Sequence, residues 1–112
     1  MHRGEIYLVD FSTAVVGSEQ SGVRPAVIVQ NELGNKNSTT TIVVPLTSKT
    51  KTQVGTHVTL SPSDCGILRE STALCEQLRV VDKQRLIKKL GEVTNREKIA
   101  DLNRKIQVSL GL

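Results

Sequence analysis

The longest unbroken apolar stretches of this chain, Ile6–Val9 and Ala26–Val29, are four residues each. Runs that short suit strands, whereas a helix crossing a membrane needs about 20 consecutive apolar residues. Glu5–Val9, Pro25–Gln30, Thr40–Leu46, Thr56–Leu60 and Thr72–Val81 are rich in Val, Ile, Leu and Thr, with Gly, Ser, Asn and Asp clusters between them. These are strand and turn signals. His57-Val58-Thr59-Leu60 alternates polar and apolar residues, as strands do where one sheet face is wet. That alternation predicts a solvated His57. The polar stretch Gly34–Ser38 suits a hairpin connection. Five such strands within 112 residues predict one small, strongly bent sheet or barrel, a single domain over 1–112.

The period changes towards the end. Thr94-Asn95-Arg96-Glu97 has capping-box spacing, and Ile99, Leu102, Ile106 and Leu110 then recur at intervals of three, four and four. That is one stripe of an α-helix, expected to close the open side of the barrel. Asp82–Arg85 predicts a short helical turn, with a last strand at Ile87–Leu90. Between Asp10 and Gly22 the chain has weak strand character and ends in the polar cluster Gly17-Ser18-Glu19-Gln20-Ser21-Gly22. A loop of that length in a small domain is usually functional or disordered.

Charge and composition exclude several classes. Lys and Arg outnumber Asp and Glu by 15 to 11, and the excess is spread along the chain. No polybasic arm exists to hold nucleic acid or a membrane by charge alone. Tyr7 and Phe11 are the only Phe, Tyr or Trp residues, too few for a module that stacks successive bases on aromatic platforms. Cys65 and Cys75 are too few for a disulfide scaffold, and the N-terminal Met-His-Arg-Gly-Glu is no secretory segment. Two free thiols and a cytoplasmic location are expected. His2, His57 and the cysteines show no close-spaced ligand pair, so no metal or other cofactor is expected.

Arg24 precedes Pro25, which holds it extended at a loop-to-strand junction. Its planar donor fork matches phosphate oxygens, although surface arginines more often pair with a carboxylate such as Glu19. Thr47 and Ser48 end the Thr41–Leu46 run. Two hydroxyls there can orient a phosphate, or simply satisfy a turn. Strand parity through Leu74–Val81 sets Glu76 on the face of Leu74, Leu78 and Val80. A carboxylate there needs a partner such as a buried arginine, or a polar site to point into. Gln77, on the opposite face, is placed to read a base edge. His57 is the one interior histidine, a group able to move protons near neutral pH.

Arg3-Gly4-Glu5-Ile6-Tyr7, Val16-Gly17-Ser18-Glu19-Gln20, Arg24-Pro25-Ala26-Val27-Ile28-Val29-Gln30-Asn31, Val44-Pro45-Leu46-Thr47-Ser48, Leu74-Cys75-Glu76-Gln77-Leu78-Arg79 and Asp82-Lys83 together resemble the MazF/PemK-type toxins of bacterial toxin–antitoxin systems. The resemblance runs in order along almost the whole chain. It departs from commoner members at Ser21 and in lacking a proline after Asp10. The resemblance implies a mainly β fold with a C-terminal α-helix, a small SH3-like barrel of the CcdB/PemK-like plasmid maintenance toxin type. It further implies a homodimer, a MazE-like antitoxin partner, and metal-independent cleavage of single-stranded RNA at short motifs. Carried over residue by residue, Arg24 and Thr47 are catalytic. Ser18, Glu19 and Gln20 border the RNA groove; read from their own chemistry, Ser48, His57 and Gln77 are expected as further RNA contacts. The scaffold also allows a gyrase-gripping toxin or a non-cleaving RNA regulator, since fold alone does not fix function.

Overall fold

The computed structural model describes residues 1–12, 17, 22–48 and 54–112. Its strands are β1 (Glu5–Asp10), β2 (Val23–Ile28), β3 (Thr40–Thr47), β4 (His57–Leu60), β5 (Ser71–Leu74), β6 (Arg79–Asp82) and β7 (Leu86–Glu92). Short helices α1 (Glu32–Asn37) and α2 (Pro62–Cys65) lie in the connections, and α3 (Arg96–Leu110) ends the chain. The seven strands form one sheet in the order β4-β5-β3-β2-β1-β7, with β6 pairing β3 beside that path. Every pairing is antiparallel. Two register shifts in the β1–β7 ladder, at Ile6/Tyr7 and Leu8/Val9, add the local bend that bulges give a strand. The result is the small mainly β barrel expected, its ladder left open between β4 and β7 among the described residues.

β3 explains the bend. Residues Thr40–Val43 pair with β6, and Leu46 and Thr47 pair with β5. Pro45 falls in the gap between the two partners, at a break in the ladder, where a missing N–H is best tolerated in a central strand. Val44 and Leu46 enter one core with Ile6, Val27, Val58 and Leu60, whereas Val43 enters a second with Val9, Phe11, Ala26 and Ile28. A strand buried on both faces reads as a nearly continuous apolar run, as Ile42-Val43-Val44-Pro45-Leu46 does. On α3, Leu102 is buried and Ile99 and Ile106 pack on the first core. Leu110, fourth in the stripe, is exposed near the helix end. Among the described residues no helix is long and apolar enough to cross a membrane.

Two expectations are corrected, and two short helices within connections were not foreseen. Gly34–Ser38 does connect the antiparallel neighbours β2 and β3, but the connection contains α1, whose N-cap Asn31 accepts a bond from the Gly34 N–H at 2.7 Å and whose C-cap is Ser38. Thr72–Val81 is not one strand: a 3-10 turn over Cys75–Gln77 divides β5 from β6. The Cys75 N–H bonds the Thr56 carbonyl at 3.1 Å, the last rung beside β4, and the Leu78 N–H then turns back to the Cys75 carbonyl at 3.4 Å. The α3 N-cap is Asn95 rather than Thr94, because the Thr94 hydroxyl bonds the Asp64 carbonyl at 3.3 Å. The helix α2 was not foreseen, despite Pro62 at its first turn and Asp64, whose carboxylate accepts from the Ser61 N–H at 2.8 Å. The helical turn at Asp82–Arg85 is present as a 3-10 turn over Lys83–Arg85, capped by the Asp82 carboxylate.

Candidate functional site

The register of the sheet assembles the site. β2 and β3 pair Ile28 with Val43, Val27 with Val44 and Ala26 with Pro45, where their ladder ends; continuing that register by two residues brings Arg24 level with Thr47. Thr47 is paired with Thr72 on β5, and Thr72 with Thr59 on β4. Directly opposed residues share a sheet face. Arg24, Thr47, Thr72 and Thr59 therefore form one row across four strands, a guanidinium followed by three hydroxyls. Thr47 is 2% exposed and Thr72 8%, whereas Arg24 and Thr59 are half-buried. Arg24, Thr47 and Thr59 each engage a neighbour. Arg24 stands opposite Val9 on β1 and has the extended backbone that its proline imposes.

A second cluster lies at the edge of the same face. His57 follows the parity of Thr59, yet it is buried, which corrects the expectation of a solvated histidine. Its Nε2 lies 3.2 Å from Glu76 Oε2, and the Thr56 hydroxyl donates to Glu76 Oε1 at 3.0 Å. The 3-10 turn causes this: it carries Glu76 out of strand parity and back over the start of β4. Glu76 thus takes neither the apolar face nor a buried arginine as partner. Burial raises its pKa, but a backbone N–H, His57 and Thr56 outweigh that and hold the carboxyl below its usual value. Among the described residues, His57 Nδ1 has no hydrogen-bond partner.

Ser48 is exposed just beyond β3, and Gln77, half-buried at the end of the 3-10 turn, engages a neighbour. Ser18, Glu19 and Gln20 lie outside the described residues. Thr59 and Thr72 carry no signal of their own in the sequence. Both stand at polar positions of alternating strands, but only the pairing register aligns them with Thr47. Among the described residues no three His, Cys, Asp or Glu side chains are grouped to hold a metal ion. A fixed cation beside ordered hydroxyls can hold an anion and stabilise negative charge that develops on it.

A family model described as PemK-like, MazF-like toxin of type II toxin-antitoxin system matches residues 2–110. The whole chain is 44% identical over 113 aligned positions to Endoribonuclease MazF of Staphylococcus saprophyticus, covering 92% of that protein. Among solved structures, a mycobacterial endoribonuclease in complex with its cognate antitoxin aligns with all of this chain and 96% of its own, at TM-score 0.83 and 28% identity. MazF of Deinococcus radiodurans aligns with all of this chain and 97% of its own, at TM-score 0.83 and 25% identity. With the fold, the motif order and a match over nearly every residue in agreement, the chain belongs to the PemK-like, MazF-like toxins of type II toxin–antitoxin systems.

Proposed function

We propose that this protein is an endoribonuclease toxin that cuts single-stranded RNA, and that Arg24 and Thr47 carry the reaction. The chain acts as one domain over 1–112, as a homodimer in the cytoplasm, held inactive by a cognate antitoxin. The observation that supports the site assignment is the β2–β3 register, which, continued two residues past its last pair, Ala26 with Pro45, brings Arg24 level with Thr47. Membership of the toxin family and 44% identity to an Endoribonuclease MazF support the activity.

RNA brings its own nucleophile, the 2′-OH beside the scissile phosphate. The 2′ oxygen bonds to phosphorus, its proton leaves to an acceptor, and the bond to the 5′ oxygen breaks with protonation of that oxygen. The products are a 2′,3′-cyclic phosphate and a 5′-hydroxyl. Arg24 offers permanent charge and forked donors to the phosphorane-like transition state, and donates to the departing 5′ oxygen. Thr47 orients a phosphoryl oxygen by hydrogen bonding. The acceptor of the 2′ proton is Glu19 or His57, the latter with Nε2 held by Glu76 at 3.2 Å. Ser18, Gln20, Ser48 and Gln77 contact the RNA around the cut. No metal is needed, because the nucleophile is the substrate's own and the guanidinium supplies the positive charge.

Incubating the protein with a long single-stranded RNA in EDTA and mapping the new 5′ ends tests this reading. Cuts at recurrent short motifs, ending in 5′-hydroxyls, are expected. Intact RNA in EDTA that is cut once metal is restored would contradict it.

A further inference from the structure

A cleft of about 360 Å³ is lined in part by Pro25, Ser48, Leu68, Arg69, Ser71 and Leu90. Pro25 and Ser48 are the chain neighbours of Arg24 and Thr47, and successive strand residues point to opposite faces. Pro25 therefore faces away from Arg24, and the cleft meets the proposed reaction centre only at the end of the sheet, through these chain neighbours. Its volume is at the small end of the ~300–1,000 Å³ typical of small-molecule sites, which suits one planar base rather than a protein segment. Pro25, Leu68 and Leu90 offer apolar surface to base faces, and Arg69, Ser48 and Ser71 offer polar groups to a base edge. The lining includes a cation and no carboxylate, which complements a polyanionic strand.

The wall of this cleft is built rigidly. Gly66–Arg69 leave α2, whose Asp64 is held from three sides. Its carboxylate accepts from the Ser61 N–H and from Asn95 Nδ2, both at 2.8 Å, and its carbonyl accepts from the Thr94 N–H at 2.9 Å. On β7, beside Leu90, a Cβ added to Gly91 would stand 2.2 Å from the Cys65 carbonyl oxygen. Only glycine allows the loop and β7 to approach so closely. Above this fixed base Leu68 is 98% exposed, an apolar side chain standing at the rim of a preformed recess. Recognition sites gain selectivity when their walls are ordered before the ligand arrives.

We propose that this cleft seats one nucleobase of the RNA next to the cut phosphodiester, and that Leu68 and Arg69 set which base is accepted there. The proposal rests on the endoribonuclease reading above. Leu68→Ala and Arg69→Ala, both at exposed positions, are compared with the parent by mapping cuts across a long RNA that contains every short sequence context. In each variant, selectivity at a single position adjoining the cut should fall about tenfold, in line with one lost base contact, while selectivity at the other positions stays. A parent that does not cut overturns the activity reading rather than the cleft. A second arm therefore reads the cleft by binding: a random-sequence RNA pool is captured on each protein, and the bound fraction is sequenced. The parent should enrich one base at one position, and the variants should not. Unchanged preference at every position would overturn the proposal. So would a uniform loss of cutting and binding, or dissociation of a parental dimer with preference intact, which would assign the cleft to a second copy of the chain.

Discussion

In the proposed reaction, Arg24 is the residue on which the chemistry turns. Losing one donor that stabilises developing negative charge typically costs about 2.7–4 kcal/mol. Arg24→Ala should therefore lower the cleavage rate by about 10²–10³, with unchanged circular dichroism and melting; a rate within a few-fold of the parent would remove Arg24 from the mechanism. Arg24 and Thr47 enter as site candidates through the family motifs they sit in, because their local signals, an arginine before a proline and a hydroxyl at a strand end, fit an ion pair or a turn equally well. The setting of His57 is not legible in the sequence. Its burial depends on Glu76, 19 residues later, reaching back through a 3-10 turn that strand parity does not foresee. The Thr59–Thr72–Thr47 alignment is hidden for a similar reason, because register belongs to pairs of strands and to neither strand alone.

At the scale of elements, local period is a good guide and connections are not. The stripe from Ile99 to Ile106 announces α3 because 3.6-residue spacing is a property of one segment. The run Thr72–Val81 looks continuous because Leu74, Leu78 and Val80 keep an even spacing, although Val80 is in fact exposed. The contact between β7 and the loop after α2 makes a sharp prediction. Gly91→Ala forces a methyl against the Cys65 carbonyl, and overpacking of this kind costs about 1–3 kcal/mol. Chemical denaturation should show a loss of that size; unaltered stability would mean that the loop yields freely and the wall of the cleft is not rigid. Asn95→Ala removes both the α3 cap and the bond to Asp64. It should destabilise by about 1 kcal/mol or somewhat more, read as a lower urea midpoint at constant slope.

For the whole molecule, acid is the condition to which the fold is most exposed. Three carboxyls on different parts of the barrel are held below their usual pKa. Burial raises that of Glu5, but its bonds to Lys89 and the His2 N–H outweigh it. Glu76 is held down through its own turn, His57 and Thr56 against the same burial. Asp64 is held down by the Ser61 N–H and Asn95. A carboxyl whose pKa is depressed on folding adds stability that is complete above its unfolded value and is lost as pH falls through its folded one. Stability should thus be level from neutral pH to about pH 5 and fall below about pH 4, near the unfolded carboxyl values. Glu5→Gln, which removes the buried partner of Lys89 at 2.8 Å, should flatten that acid slope; an unchanged slope would show that Glu5 is not a source of it. The two cysteines are free and buried, and burial pushes the Cys75 thiol up to about 12, so it should resist thiol reagents until the protein unfolds.

The central claim is that a guanidinium and a hydroxyl, aligned by the register of two strands, let a ribose cut its own backbone. The most direct measurement uses a short RNA carrying one mapped cut site, made with ribose or with 2′-deoxyribose at the nucleotide that supplies the 2′ oxygen. The ribose strand should be cut to a 2′,3′-cyclic phosphate and a 5′-hydroxyl, while the deoxy strand stays intact over the same time with binding retained. Scission of the deoxy strand at the same bond and a comparable rate would contradict the account.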